Sequence, residues 1–442
     1  MSSLADRLRG VLGGTRPTGT PLAPAVPVPA TKNLEAVAET LGGEWHEERG
    51  HRYVVVDRSF APGYRHGRVA VADAMPGTDG LWPRLELLLG PRAGGPAPRE
   101  ASPFRPDESG AGQLLFVDLE TTGLAGGAGS YAFLVGCAWF AGARLHVRQF
   151  FLSSFSGEAA MLAGVARLAE RATGVVTYNG KSFDLPLLDT RYSLNRMSLP
   201  LLELPHVDLL HPARRLWKDP EFEARVPGAS SCKLTSLERT QCGFERDGDV
   251  PGFEIPGRYF SYVREGDARP LEAVLEHNRL DLVSLALLTG IVAQKLEAGG
   301  PAASSAREAL GLGRLLERGG RHEEAREAFA RAAALPGRAD ITGEALQALA
   351  LSFRRARQFD EAARVWAQLL NLEDCPTALA QEAIESLAIH HEHRNRDLAA
   401  ARGFALRALE LGEPMGRRQI EHRLARLDRK LGGGAGPRPP LF

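Results

Sequence analysis

The order of apolar runs in the central region constrains the fold most strongly. The run LLFVDLE alternates as a strand does, and YAFLVGCAWF and RLHVRQFFL follow it across short turns, which predicts a three-stranded meander. Helical periodicity in EAAMLAGVARLAERA is followed by the strand GVVTYN, the helix SFDLPLLDTRYSLN, the short strand HVDLL and further helices up to Lys295. This order indicates an α/β domain, and it leaves several α/β folds open.

The regions before this domain differ from it in composition. Residues 1–32 are rich in Pro, Gly and Thr and are expected to be disordered, because they can bury little apolar surface. Residues 33–92 combine a short helical pattern, LEAVAETL, with RYVVVDRSF, GRVAVADAM and LWPRLELLLG, which are interpreted as strands of a small β-rich accessory module. The Pro/Gly-rich residues 93–112 are interpreted as a linker.

The region after the domain changes to Ala, Leu, Glu and Arg with helical periodicity. Three of its segments resemble one another, with a small residue followed four positions later by an aromatic one, at spacings of roughly 37 residues: Ala325 and Phe329, Ala362 and Trp366, Ala400 and Phe404. This pattern predicts tetratricopeptide-like helical repeats over 303–431, and an irregular helical bundle is the alternative. Residues 432–442 are expected to be a flexible tail.

Charge and cysteine content exclude several classes of protein. Lys+Arg and Asp+Glu both number 54, so the chain has no global basic field and any site for a polyanion must be a local patch. Four scattered cysteines exclude a disulfide framework and disfavour a structural zinc site. The N-terminal residues do not resemble a signal peptide, and no apolar run is long enough to span a membrane. The protein is therefore expected to be cytoplasmic and to have no membrane partner.

The first candidate site is the acidic pair at the end of the run LLFVDLE. Residues two apart on a strand point to the same face, so the carboxylates of Asp118 and Glu120 should project together. Such a pair is repulsive unless a cation neutralises it, and Mg²⁺ or Mn²⁺ suits hard oxygen ligands. An ordinary solvent-facing acidic pair is the alternative.

Two further segments supply acids and a histidine. Asp184 follows the strand GVVTYN and opens a helix, where it is either a metal ligand or a first-turn helix acid. His277 and Asp281 are four residues apart and share one helix face. Together the four acids have the order that a two-metal nuclease site requires, with two divalent ions, Mg²⁺ or Mn²⁺, as cofactors. A neutral His277 beside them could accept the proton of the attacking water.

Weaker signals suggest contacts to a substrate. The substrate-binding candidates are Thr121, Asn179, Lys181, Arg214 and Arg215. The last two belong to HPARRLWK, where Trp217 is interleaved with cations, as in a grip on single-stranded nucleic acid. The alternatives are a turn-stabilising role for Asn179, a solvated loop cation at Lys181, and a solvated helix face with one buried Trp.

These motifs resemble those of a known family. Asp118-x-Glu120, Asn179-x3-Phe183-Asp184 and His277-x3-Asp281 resemble the three motifs of the DEDD 3′–5′ exonucleases, which have the ribonuclease-H-like fold. Five longer segments are similar in sequence to the bacterial YprB-like branch of this family, in which tetratricopeptide-like repeats often follow the domain. They are DLETTGLAGGAGSYAFLVG, TYNGKSFDLPLLDTRY, HPARRLWK, CKLTSLER and EHNRLDLVSL. The resemblance covers roughly residues 114–296.

The resemblance implies a ribonuclease-H-like exonuclease domain over 113–298 with a mixed sheet and flanking helices. It implies metal-dependent 3′–5′ hydrolysis of DNA or RNA, with DNA favoured, in repair or processing and alongside a helicase partner. One position departs from the pattern, because the family has Tyr four residues or His five residues before the last Asp. His277 stands four residues before Asp281, which leaves the orientation of the general base open.

Two other functions are compatible with the sequence. A catalytically silent domain could bind nucleic acid or act as a scaffold, with the helical repeats recruiting a protein partner. An endonuclease on the same fold is also compatible, because carboxylates alone do not reveal whether a free end is required. The retention of all four acids argues against the silent scaffold, since clustered carboxylates would repel one another and a phosphate backbone.

Overall fold

A computed structural model describes residues 34–75, 81–89, 113–123, 129–226, 230–411 and 417–432. The predicted disordered segment 1–32 and the predicted linker 93–112 lie outside the described residues. The predicted tail also lies outside them, apart from its first residue, Gly432, which ends a helix.

A mixed sheet of seven strands forms the centre of the protein. The strands of the chain are β1 (Glu44–Glu48), β2 (His51–Phe60), β3 (Arg65–His66), β4 (Val69–Ala70), β5 (Gln113–Thr121), β6 (Ala132–Ala141), β7 (Arg144–Phe151), β8 (Ala172–Thr177) and β9 (His206–Asp208). The sheet has the order β1-β2-β7-β6-β5-β8-β9, while β3 and β4 pair separately. Strands β5, β6 and β7 form the predicted antiparallel meander, and β8 and β9 extend it in parallel beyond β5. The predicted mixed sheet is thereby confirmed.

Nine helices surround this sheet within the described part of the chain. They are α1 (Leu34–Leu41), α2 (Leu81–Leu89), α3 (Glu158–Ala169), α4 (Asp184–Leu194), α5 (Leu210–Trp217), α6 (Pro220–Arg225), α7 (Leu234–Leu237), α8 (Ile255–Glu265) and α9 (Arg269–Ala298).

The side chains of β5 point alternately to the two faces of the sheet, and each face has its own hydrophobic core. Leu115, Val117 and Leu119 lie in a core that includes α3, α4 and α8. Leu114 and Phe116 lie in the other core, which includes the second half of α9. Because side chains alternate along a strand, Asp118 and Glu120 share the face of Phe116 and therefore point toward α9.

Helix α9 connects the sheet to the C-terminal region. Its 30 residues extend about 45 Å at the rise of an α-helix. Its last turns pack with the following helices in one continuous core. Neither α9 nor any other helix in the described residues is long and apolar enough to span a bilayer.

The C-terminal region is a stack of helices, each packed against the next. They are α10 (Ala306–Arg318), α11 (His322–Ala334), α12 (Ala339–Arg355), α13 (Phe359–Leu370), α14 (Thr377–His390), α15 (Leu398–Glu410) and α16 (Arg417–Gly432). Phe329 and Trp366, two of the aligned aromatic residues, are buried between helices. The third, Phe404, is only partly buried and stacks on His391, so the last pair is less regular.

A buried carboxylate joins the two parts of the chain. Glu308 of α10 contacts Nζ of Lys295 at 2.8 Å and accepts a hydrogen bond from Nε1 of Trp217 at 2.9 Å. It also accepts hydrogen bonds from the backbone and hydroxyl of Ser304. Lys295 and Trp217 belong to the α/β part, so this carboxylate fixes α10 against it.

The N-terminal part differs from the prediction in two of its three apolar runs. The run RYVVVDRSF is a strand as predicted, and β2 pairs with β7, so the β1–β2 hairpin extends the central sheet. The run LWPRLELLLG is not a strand but helix α2, whose Leu85 and Leu87 are buried in the core that contains α9. The run GRVAVADAM keeps only a two-residue strand, because Asp73 accepts a hydrogen bond from the Ala70 amide and turns the chain. Leucine favours helices, which is consistent with the helical structure of LWPRLELLLG. In a short apolar run, packing decides between helix and strand.

Candidate metal centre

The structure brings Glu120 of β5 together with His277 and Asp281 of α9, while Asp118 of β5 and Asp184 of α4 lie outside this group but near enough to interact with it electrostatically. Glu120, His277 and Asp281 each offer a ligand atom, and these atoms lie within 4.8 Å of one another. Asp118 precedes Glu120 by two residues on the same face, and Asp184 is the first residue of α4, which follows β8. Strand β8 is the parallel neighbour of β5, so its carboxyl end delivers Asp184 to the edge where β5 delivers its acids.

Burial and mutual repulsion raise the pKa values of these carboxyl groups. The pKa of Asp118 lies well above its usual value because the group is buried and because Asp281, Glu120 and Asp184 are near. Burial and the charge of Asp281 likewise raise the pKa of Glu120. Burial, Asp208 and Asp281 raise the pKa of Asp184 to about 7. The same charges that raise each pKa would stabilise a cation placed among them.

The donor set fits a hard divalent cation. It consists mainly of carboxylate oxygens, with the imidazole of His277 beside them, and carboxylate-rich sets suit Mg²⁺ and Mn²⁺. The chain thus offers a possible metal-binding group of Glu120, His277 and Asp281, which includes two of the four predicted acids.

His277 is oriented by Asp249, an aspartate that no sequence motif marks. Nδ1 of His277 lies 2.6 Å from Oδ1 of Asp249, and Nε2 lies 3.6 Å from Oδ2 of Asp281. A carboxylate at Nδ1 favours the tautomer in which Nδ1–H donates and Nε2 carries the free lone pair. Nε2 of His277 therefore lies on the side of the ring that faces Asp281.

A buried arginine partly neutralises the acids. Arg246 donates hydrogen bonds through Nη2 to Glu238 and Asp281, and Nη1 lies 3.2 Å from Oδ2 of Asp249. Burial alone would lower the pKa of Arg246, and the hydrogen bond to Glu238 with the charge of Asp281 raises it well above its usual value. Arg246 and Asp249 lie in the irregular segment between α7 and α8, and nothing in their local sequence marks them.

Asn278 connects α9 to β5. Its Nδ2 donates to Oδ2 of Asp118 at 2.8 Å, and its Oδ1 accepts from Nε2 of Gln149 at 2.8 Å. Gly136 is paired with Asp118 across the strands, and a Cβ there would lie 2.2 Å from Oδ1 of Asn278. The absence of a side chain at Gly136 lets Asn278 approach β6 and hold Asp118. Asn278 directly follows His277, but a buried Asn has no sequence signal of its own.

Asp208 organises the loop that precedes Asp184. Its Oδ1 accepts from the backbone N–H of Asn179 at 2.7 Å, and its Oδ2 accepts from that of Lys181 at 3.1 Å. Asn179 has φ = 67°, and a Cβ at Gly180 would lie 2.5 Å from the Cβ of Thr177. Asn179 therefore has a role in the turn, which was one of its two interpretations, whether or not it also contacts a substrate.

The other substrate-binding candidates have different surroundings. The hydroxyl of Thr121 donates to the carbonyl of Gly123 at 2.9 Å. Lys181, Arg214 and Arg215 are exposed, the last two on α5. Trp217 is half-buried, and its Nε1 donates to Glu308 at the junction with α10, so part of its indole packs against the helical stack.

Comparison with known proteins agrees with this architecture. A family model described as the RNase H superfamily matches residues 115–293, which span β5 to α9 and include all four acids. The fold and the acidic site thus define an RNase H superfamily nuclease-like domain. A Bacillus subtilis (strain 168) protein described as uncharacterized protein YprB is 31% identical over 322 residues, 72% of this chain and 75% of that protein. The chain therefore belongs to the YprB family.

Proposed function

We propose that the chain is a metal-dependent 3′–5′ exonuclease of the DEDD type, which hydrolyses phosphodiester bonds of nucleic acid. DNA is the favoured substrate and DNA repair or processing the favoured context, as the resemblance of the motifs implies. One observation carries the proposal: acids from three separate segments lie close enough to raise one another's pKa, beside a histidine whose free nitrogen points at them.

The proposed roles follow from the contacts of each residue. Two divalent ions, Mg²⁺ or Mn²⁺, would supply an activated water and stabilise the leaving oxygen. Asp118, Glu120, Asp184 and Asp281 would hold them. Nε2 of His277 is available to accept the proton of the attacking water, because Asp249 occupies Nδ1.

Substrate would approach along the loop before α4. Phe183 directly precedes Asp184 and is 59% exposed, so its ring can stack on a base at a strand end. Thr121, Asn179, Lys181, Arg214 and Arg215 are the proposed substrate contacts, with the cations placed for phosphates. A single-stranded end suits this arrangement, because unpaired bases expose their faces for stacking.

The decisive experiment measures release of nucleotides from end-labelled DNA and RNA, single- and double-stranded, with Mg²⁺ or Mn²⁺. Asp184→Asn and Asp118→Ala should each reduce the rate by at least 10³-fold, because each removes a proposed metal ligand. Asp189→Asn is the matched control, since Asp189 is an exposed acid on the same helix as Asp184. Wild-type rates in either ligand variant would refute the site assignment.

The same assay separates the proposed function from its alternatives. Circular or end-blocked strands should resist an exonuclease and would be cut by an endonuclease. A silent scaffold would release no nucleotides with either metal, and calorimetry would detect no paired Mn²⁺ sites.

The stacked C-terminal helices are proposed to be tetratricopeptide-like repeats that bind a protein partner. The sequential packing of these helices and the buried Phe329 and Trp366 support this. A helicase is the partner that the family resemblance implies.

A further inference from the structure

A basic pocket lies where the α/β part meets the helical stack. It has a volume of about 290 Å³ and is formed by α2, the loop after β8, α5 and α10. Its polar lining includes Lys181, His211, Arg215 and Arg318. The first three come from the α/β part, whereas Arg318 comes from the first helix of the stack.

The positive charge of this pocket is not balanced by its surroundings. Asp208 is the acid of the lining, and its oxygens already accept N–H groups from Asn179, Lys181 and Leu210. Within the described residues, no carboxylate lies within ion-pair distance of Arg215 or Arg318. Although Arg215 as a whole is exposed, partial burial of its guanidinium and the charges of Arg318 and Arg314 lower its pKa. An anion in the pocket would relieve this repulsion.

The walls of the pocket are fixed by close helix packing. A Cβ at Gly311 of α10 would lie 2.3 Å from the carbonyl oxygen of Arg215 on α5. A Cβ at Gly319 would lie 2.4 Å from Leu87 of α2. The two glycines therefore let α10 approach the α/β part closely, and this approach places Arg318 in the same pocket as Arg215.

We propose that this pocket binds an internal phosphodiester group of the substrate strand, so that α10 contributes directly to nucleic-acid binding. The inference rests on the proposed function, because Lys181 lies in the same loop as Asp184 and a strand entering the acidic site would pass it. Guanidinium groups suit phosphate oxygens, since their planar donors can bind two oxygens at once. The helical stack would then have a second role besides docking a protein.

The test is binding of a fluorescent 12-nucleotide single strand to the full-length protein in EDTA, where hydrolysis cannot occur. Arg318→Gln and Arg215→Gln should each weaken binding about 3- to 10-fold. Each should also reduce the slope of log affinity against log salt by about 0.7, the value for one lost phosphate contact on a single strand. Arg318→Lys should retain most of the affinity. Arg364→Gln is the matched control, because Arg364 is an exposed arginine on α13.

Two further arms identify the phosphate. Strands with and without a terminal phosphate should bind equally, and inorganic phosphate should compete only weakly. Binding that requires a terminal phosphate would overturn the assignment to an internal phosphodiester. Unchanged affinity and salt slope in both glutamine variants, with thermal unfolding as in wild type, would overturn the pocket altogether.

The outcome is independent of the catalytic proposal. A protein that hydrolyses no strand but loses affinity through Arg318→Gln would refute the exonuclease and keep the pocket. A protein that hydrolyses strands, and whose Arg318→Gln and Arg215→Gln variants both bind them as tightly as wild type, would keep the exonuclease and refute the pocket.

Discussion

Oδ1 of Asp249 lies 2.6 Å from Nδ1 of His277, although the two residues are 28 positions apart in the chain. The contact turns Nε2 of the histidine toward Asp281. We therefore propose a positioning role for Asp249, which would act on the site through the imidazole.

The first prediction concerns this pair. Asp249→Asn should lower kcat about 10- to 100-fold, the range for partners that orient a functional histidine. The amide can present N–H to Nδ1 and so favour the tautomer with Nε2 protonated. Strand binding in EDTA should stay within 2-fold of wild type. Asp247→Asn, at an exposed neighbouring acid, is the control. An unchanged kcat in Asp249→Asn would remove Asp249 from the mechanism.

The second prediction concerns Gly136. Gly136→Ala should destabilise the protein by about 1–3 kcal/mol, because the new methyl group overlaps Asn278 in a packed core. Displaced Asn278 would also release Asp118, so activity should fall further than stability alone explains. Urea unfolding and nucleotide release measure the two effects. Gly252→Ala is the control, since a Cβ there meets no atom within 4 Å. Equal stability of both variants would contradict the close approach.

The third prediction concerns the buried cation. Arg246→Met should lower the free energy of unfolding by about 3–5 kcal/mol in metal-free buffer, because it leaves Glu238 and Asp281 without this cationic partner. Arg258→Met, which breaks a part-exposed pair with Glu254, should cost less than about 1 kcal/mol. Mn²⁺ should raise the melting temperature of Arg246→Met more than that of wild type. A larger increase in wild type would show that Arg246 assists metal binding, and would contradict the view that its guanidinium takes the place of a metal ion.

The fourth prediction concerns pH. The folded pKa of Asp184 is about 7, above that of an unfolded chain. The folded state therefore binds the proton of Asp184 more tightly than the unfolded chain does. This proton stabilises the fold fully below about pH 4, and the stabilisation is lost as pH rises through 7. In EDTA, the free energy of unfolding of wild type should fall between pH 5 and pH 8 by on the order of 1–3 kcal/mol relative to that of Asp184→Asn.

Urea unfolding at the two pH values measures this loss, and Asp189→Asn should follow wild type. Mn²⁺ should reverse the loss at pH 8 in wild type and not in Asp184→Asn. Parallel pH dependence of wild type and Asp184→Asn in EDTA would mean that this carboxyl is not held among other acids.

Local patterns in the sequence were sufficient to predict the meander, the β8–α4 unit and the helical stack. Alternation in β5 also predicted that Asp118 and Glu120 share a face, because that property is local. Arg246, Asp249 and Asn278 could not be selected in this way. Their importance comes from contacts such as Arg246 to Asp281, 35 residues apart, which only the folded chain creates.

Short apolar runs were the other source of error. LWPRLELLLG and GRVAVADAM have patterns compatible with more than one structure, and their surroundings decide between them. Helix α2 forms because Leu85 and Leu87 have a partner surface on α9, which no local pattern contains.

The buried carboxylate of Glu308 has a consequence for the way the chain can be divided. A fragment that stops at the end of α9 would strip Lys295 and the indole N–H of Trp217 of their acceptor. It would also expose the apolar end of α9, where Val292, Ala293 and Leu296 are buried, to water. The α/β part and the helical stack should therefore melt in a single transition, and an α/β fragment cut at this boundary should aggregate.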